Sequence, residues 1–441
     1  MNRQERHSRH RSAGKAVATA LFFLSFLSFD NLQAQTTLRL SLSEAEQYAV
    51  EHNATMQNAT LDMKKAELAK WKTLSSMLPQ VKAGFDYQNM CGYEMVMGGA
   101  FRIPMDPNGT FSITASVALT GAQVVGTMIQ NISQEMTDIT RQQTEQQTRS
   151  SVKNVYVSLL VMQETVGLLD SSLANLERLA ATTQASVDVG AAEQVDADKL
   201  SIQVATLSNT INSTRRSLQA LNNTLLLQLG ADVTSQVELT TPLKAIIDVD
   251  QAAQLLSQGF DITKNYSYQL LEQSEKLAKK NVAMAWMDFT PTLSAYYQYS
   301  DKIYFGEEGM NMTPPNMVGA SLSLPLFSSG SRYANVKSAK IDLQEAVNSR
   351  RQAEDGLRVQ YNQLTYDLAS ALETYDIQRR NLEVTRRVFD NLTEKYNYGR
   401  ASSLEVTNAS SDIISAQSNY IQAVMNVISA QVALENLINK N

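Results

Sequence analysis

The chain has one cysteine, Cys91, and three histidines, His7, His10 and His52, in 441 residues. No intrachain disulfide is possible, and no cysteine-based metal cluster. So few histidines leave little material for a metal or triad enzyme. Basic charge is also short: 38 Lys and Arg against 44 Asp and Glu give a net charge of -6. That balance excludes the basic footprint a nucleic-acid binder needs. Proline is rare, eight residues in all, with none in 122–241 or 326–441. An interior proline costs a helix about 3 kcal/mol, so gaps of that length permit very long helices. Long apolar runs are missing too. Beyond the N-terminus no segment has 18 consecutive apolar residues, so no membrane-spanning helix is expected there. Such a chain can still cross a bilayer as β-strands.

The N-terminus carries a basic head, Arg3, Arg6, Arg9, Arg11 and Lys15, followed by an apolar run from Ala16 to Phe29. That run is too short to span a bilayer and suits a signal-peptide core. The order of basic head, apolar core and alanine exit favours a signal peptide, 1–34, over a cytosolic helix. Cleavage after Ala34 removes five basic and two acidic residues and takes the charge from -6 to -9. It leaves His52 as the single histidine.

The same punctuation occurs twice. His52-Asn53, an amphipathic run, Leu78-Pro79 and Phe85-Asp86-Tyr87 are followed, 212 residues later, by Lys264-Asn265, a similar run, Thr290-Pro291 and Tyr297-Gln298-Tyr299. At a shift of 209, Gly121 falls on Gly330 and Gly190 on Gly399. The pattern reads as an internal duplication: a first repeat over 35–229, a junction at 230–250 and a second repeat over 251–441. The expected elements of the first are a helix at 43–78, strands at 81–88 and 111–120, a long helix at 122–188 and a return helix at 195–229. Those of the second are a helix at 251–290, strands at 292–300 and 317–327, a long helix at 330–397 and a return helix at 404–438.

The strand segments alternate apolar and polar residues. Val81, Ala83, Phe85 and Tyr87 alternate with Lys82, Gly84, Asp86 and Gln88; Val318, Ala320, Leu322 and Leu324 alternate with Gly319, Ser321 and Ser323. Period two over this length gives one apolar and one polar face, as in a tilted membrane strand or a half-buried soluble hairpin. The connecting loops, 89–110 and 301–316, hold glycine, proline and the aromatics Tyr93, Phe101, Tyr304 and Phe305. The long helices should each reach roughly 100 Å at 1.5 Å per residue, which no compact domain holds. The return helices show heptad seams: Leu200, Val204, Leu207, Ile211, Thr214, Leu218, Leu221 and Leu225, matched by Ala409, Ile413, Ala416, Tyr420, Ala423, Val427, Ala430 and Leu434. Four strands cannot close a barrel in lipid, because edges must be paired there; three chains give twelve.

Leu40-Ser41-Leu42-Ser43-Glu44-Ala45 opening a helix, Leu78-Pro79, the strand pairs, the long helices, Leu324-Pro325-Leu326-Phe327 and Tyr396–Ala409 occur in the order that resembles the TolC-type outer-membrane efflux proteins. The resemblance covers nearly all of the mature chain. It implies a mainly α fold with membrane β: a homotrimer whose 12-stranded β-barrel, four strands per chain, sits in outer-membrane lipid. That barrel continues into a long α-helical barrel in the periplasm. A periplasmic adaptor docks at the helical tip and links it to an inner-membrane pump. No chemistry, cofactor, metal or nucleic acid is implied. The other class of reading is a secreted periplasmic coiled-coil scaffold with soluble hairpins.

The resemblance also assigns site residues. Val189-Gly190-Ala191 and Gly399 stand at the adaptor-contacting tips. Asp196, Tyr396, Arg400, Glu405 and Asn408 stand at the periplasmic entrance. Glu405 occupies a position where the family can carry one acidic ring, and Asn408 one where a second is neutralised. Asp196 and Tyr396 match positions that can bond across helices to hold the entrance shut. Arg400 lies one past the glycine rather than two, which shifts its register. A plain alternative stays open: Asp196 and Glu405 sit in first helical turns, where the helix dipole favours acids.

Overall fold

The computed structural model describes residues 37–439 apart from 100, 247–248 and 307–313. The expected signal peptide at 1–34 lies outside the described residues. The chain forms a short sheet of long strands at one end, two helices of nearly 70 residues each, and a small belt midway along them.

The sheet has the order β2-β5-β7-β8, with β2 at Gln80–Gln88, β5 at Asn108–Leu119, β7 at Thr292–Tyr304 and β8 at Asn316–Ser323, all antiparallel. The register aligns the alternation across all four strands. Ala83 faces Ile113, Ile113 faces Tyr299; Ala115 faces Tyr297, and Tyr297 faces Val318. Opposed residues share a face, so one face is Val81, Phe85, Ile113, Leu119, Leu293, Tyr297, Val318 and Leu322. These side chains are exposed, Val318 to 80%. The opposite face carries Lys82, Thr114, Gln298, Ser294 and Ser321, the last two joined by their hydroxyls at 2.8 Å. Strands β2 and β8 each pair on one side only among the described residues.

Below the sheet run α3 (Gly121–Asp188) and α8 (Ser331–Asn397), 68 and 67 residues long. Near the sheet they are flanked by α2 (Ala54–Ser75) and α7 (Tyr266–Met287), in the lateral order α2-α3-α7-α8. Beyond the belt the partners are the return helices α4 (Gln194–Leu229) and α9 (Ser403–Ile438), in the order α4-α3-α9-α8. The wall is therefore four helices wide at both levels. The heptad seams face inward: Leu200, Leu207, Ile211 and Leu225 are buried, as are Ala409, Ile413, Ala416, Ala423, Val427 and Leu434. Helix α9 is apolar and long enough by composition to cross a membrane. Its apolar residues serve packing instead: Val424, Ile428 and Val432 bury against Val157 and Val161 of α3, and Leu434 against Leu368 of α8.

Several expected elements are redrawn. The helix at 43–78 is two helices, α1 (Leu42–His52) and α2, broken at Asn53. Asn53 is extended at φ -64° and ψ 130°, its Oδ1 accepts from the Thr55 N–H, and its Nδ2 donates to the Gln228 carbonyl at 2.7 Å. Capping one helix while bonding another element outweighs continuity. The helix at 251–290 is interrupted likewise. It is α6 (Val249–Leu255), a turn, a 3-10 segment at Ile262–Lys264 capped by Asp261, and α7 capped by Asn265. Asn265 donates to the Leu437 carbonyl at 3.0 Å, the counterpart of Asn53 on Gln228 at the 209 shift. Strand β7 runs on to Tyr304 instead of ending at 300, and β8 ends at Ser323 instead of 327, where Pro325 removes a ladder donor. The 89–110 loop holds a hairpin, β3 (Glu94–Met97) and β4 (Phe101–Pro104), and the start of β5. The 301–316 loop begins inside β7.

The 230–250 junction is structured. Its strand β6 (Gln236–Leu239) pairs in parallel with β1 (Thr37–Leu40), and α5 (Leu243–Ile246) follows. Both strands alternate, but four residues are too few for a periodicity to register. Buried Tyr156 of α3 ties the pair down: its hydroxyl donates to the Leu40 carbonyl at 2.9 Å and accepts from the Thr241 N–H at 3.2 Å. Around it Ala45, Ala49, Val152, Leu159, Leu225 and Leu229 form the core of this belt.

Candidate functional site

Two helical hairpins make the end of the molecule farthest from the sheet, and both turn by the same device. Helix α3 ends at Asp188, Gly190 takes φ +75°, and the N–H groups of Gly190 and Ala191 donate to the carbonyls of Val187 and Ser186. Helix α8 ends at Asn397, Gly399 takes φ +68°, and the N–H groups of Gly399 and Arg400 donate to Tyr396 and Lys395. Both are Schellman turns, whose left-handed residue calls for glycine. Val189 is 79% exposed and Tyr398 73%, so each tip presents a large apolar side chain to solvent.

The entrance residues separate by environment. Tyr396 is half-buried among Leu169, Leu176, Leu200, Leu207 and Val406, and its hydroxyl is hydrogen-bonded to Thr183 Oγ1 of α3. Thr183 is fully buried, so this bond joins the two long helices one turn and a half above the tip. The partner of Tyr396 within the chain is Thr183. Asp196 is half-buried in the first turn of α4. Sequence reasoning missed Thr183, because a threonine inside a 68-residue helix carries no distinguishing spacing.

Glu405 and Asn408 are exposed in the first turns of α9. Glu405 closes a capping box: Ser402 Oγ accepts from the Glu405 N–H at 3.3 Å, and the Glu405 carboxylate accepts from the Ser402 N–H at 2.7 Å and its hydroxyl at 2.9 Å. These two bonds from Ser402 hold the carboxyl below its ordinary value, backbone first, with Lys395 adding a smaller effect. All three polar contacts use Oε2, so Oε1 remains available at the surface. Arg400 is exposed, and its backbone rather than its guanidinium builds the turn.

The largest groove on the described surface, about 780 Å³, lies at the belt beside Glu46, Glu145, Arg149, Lys153 and Glu435. Its charges are consumed by one another: Lys153 meets Glu435 at 2.8 Å and Arg149 meets Glu145 at 2.8 Å. Burial raises the Glu46 carboxyl, opposed by Lys153 and Arg149. His52 stacks on Tyr48 at 4.0 Å at the end of α1.

Residues 262–440 match the family model described as outer membrane efflux protein. The chain is 21% identical over 298 residues to the outer membrane efflux protein BepC of Brucella suis, which covers 66% of the chain and 63% of that relative. The match thus spans somewhat under two thirds of the relative's length. Among solved structures, CusC superposes with a TM-score of 0.74 at 16% identity over 90% of this chain and 91% of that one. VceC of Vibrio cholerae, an outer membrane protein, does so with a TM-score of 0.71 at 16% identity over 90% and 95%. With strand alternation, long paired helices and tip turns all in that architecture, the chain belongs to the TolC-type outer-membrane efflux proteins of the bacterial outer membrane and periplasm.

Proposed function

We propose that the chain is the exit duct of a tripartite efflux or type I secretion assembly, passive in itself and driven by an inner-membrane pump through a periplasmic adaptor. The observation that carries this reading is the sheet: one wholly apolar exposed face, one polar face and two unpaired edges, set on helices about 100 Å long. A soluble scaffold would leave that apolar face in water at a cost of roughly 25 cal/mol per Å². Three chains would join β8 of one to β2 of the next in a 12-stranded barrel, with the polar face lining a wet lumen. The helical wall supports the same closure. Tyr333, Ile341, Val359, Tyr366 and Val388 of α8 are exposed, and so are Leu61, Leu68 and Trp71 of α2 at the other flank. The signal peptide at 1–34 would take the chain across the inner membrane.

In this reading the tips at Val189-Gly190-Ala191 and Gly399 receive the adaptor, where exposed Val189 and Tyr398 supply apolar contacts. Asp196, Tyr396, Arg400, Glu405 and Asn408 ring the entrance. Glu405 has two tasks, capping α9 with one oxygen and presenting the other to the axis, where three carboxylates attract cations. Planar-bilayer recording tests the reading. Purified protein should give discrete cation-preferring conductance steps, and Glu405→Gln should weaken the preference. Absence of conductance, together with release from washed outer membranes by carbonate alone, would favour the scaffold.

A further inference from the structure

The sulfur of this protein is unevenly placed. There are 17 methionines and one cysteine in 441 residues, and five of these, Met90, Cys91, Met95, Met97 and Met105, fall within 90–105. That stretch joins β2 to β5 at the strand ends away from the helices. It has no histidine, and its two acids, Glu94 and nearby Asp106, face other work: Glu94 pairs with Arg102 at 3.2 Å.

The hairpin register sorts its residues. Met95 faces Ile103 and Met97 faces Phe101, and the Met105 N–H donates to the Tyr93 carbonyl at 3.0 Å, which extends the ladder by one pair. Opposed residues share a face and successive ones alternate. Positions 93, 95 and 97 of one strand and 101, 103 and 105 of the other therefore lie on one side, while Glu94 and Arg102 lie on the other. Met95 and Met105 are diagonal neighbours on that side, with Cα atoms about 7–8 Å apart, within the joint reach of two flexible thioethers. Met90 is 41% exposed and Met95 38%.

The turn beside them adds a thiol in an unusual place. Met90-Cys91-Gly92-Tyr93 closes by a bond from the Tyr93 N–H to the Met90 carbonyl at 3.1 Å, with φ +51° at Cys91 and +79° at Gly92. Asparagine or glycine is the ordinary occupant of such a position, and another side chain costs about 1–2 kcal/mol there. The Asn89 side chain accepts from the Cys91 N–H at 2.8 Å and holds the turn. A cysteine kept in a left-handed turn next to an exposed methionine, with two more thioethers on the adjoining hairpin face, is a soft donor set without a competing hard one.

We propose that Met95 and Met105, with Met90 and Cys91 at the turn, bind a soft monovalent cation, Cu(I) or Ag(I), at the outward end of the barrel. Thioether and thiol sulfurs favour such ions over Zn(II), Mg(II) or Ca(II), which prefer imidazole and oxygen. The site uses no part of the entrance and does not depend on conductance. The plain role for these methionines, apolar cover for a hairpin, predicts no ion retention.

The test is retention of Ag(I), and anaerobically of Cu(I) against a bathocuproine competitor, by the full chain in detergent micelles. Wild-type protein should retain about one ion per chain and no Zn(II). The Met95→Leu, Met105→Leu double variant keeps apolar volume and should lose on the order of tenfold or more in affinity. Equal retention by wild type and double variant would overturn the proposal. So would loss in Cys91→Ser with full retention in the double variant, since the thiol alone would then hold the ion. A second readout needs no variant: Ag(I) should slow peroxide oxidation of Met95 and Met105, measured by mass spectrometry. Unchanged oxidation of both would also overturn it.

Discussion

Thr183 and Tyr396 couple the two long helices through one buried hydroxyl pair, at the level where any opening of the tip must begin. Thr183→Val keeps the shape, removes the bond and leaves the phenol without its partner, a loss of about 1–2 kcal/mol. The expected outcome is a lower melting temperature in detergent and greater closed-state conductance. Tyr396→Phe should act in the same direction but less, because no half-buried hydroxyl is stranded on its side. Equal, wild-type leakiness in both variants would remove this pair from the gate. Glu405 gives a pH dependence of known sign. Its carboxyl is held down by Ser402, so the capping contribution is present at neutral pH and is lost as pH falls through that lowered value. Amide protection of the first turn of α9, corrected for intrinsic exchange, should therefore drop only in the acid range. In Glu405→Gln it should lose that pH dependence.

At the scale of elements, Asn53 and Asn265 do the same job in the two halves. Each ends an extended link, caps a helix and donates its amide to the last turn of a return helix. Asn53→Ala and Asn265→Ala should each cost about 1–2 kcal/mol, read as comparable falls in melting temperature. A large effect at one and none at the other would show the halves to be held differently. These residues also mark how far sequence carries. Long elements with sustained periodicity, α3, α8, the heptads of α4 and α9 and the alternation of β5 and β7, announce themselves. The breaks at Asn53 and at 256–265 do not, since each depends on a carbonyl some 175 residues away in sequence. The belt strands β1 and β6 are four residues each and pair across nearly 200 residues, below what a local pattern reveals. Of the site, both tip glycines could be read from spacing, because a positive φ demands that residue. Thr183 and the capping use of Glu405 became visible only with side chains in place.

Across the whole molecule, the sheet face sets the direction of every surface substitution. Ile113→Lys places a charge on the apolar face at mid-strand and should cost about 2–4 kcal/mol in lipid, seen as reduced outer-membrane protein. Thr114→Lys, one residue on and facing the polar side, should leave the amount unchanged. If both were tolerated alike, the assignment of faces would be wrong. The central claim is that three such sheets close on one another through β2 and β8. It is tested most directly by disulfide trapping in a Cys91→Ser background, with Ala83→Cys in β2 combined in turn with Val318→Cys, Ala320→Cys or Leu322→Cys in β8. For at least one pair the account predicts a ladder of covalent species that ends at three chains. Single chains only, or a ladder running past three, would contradict it.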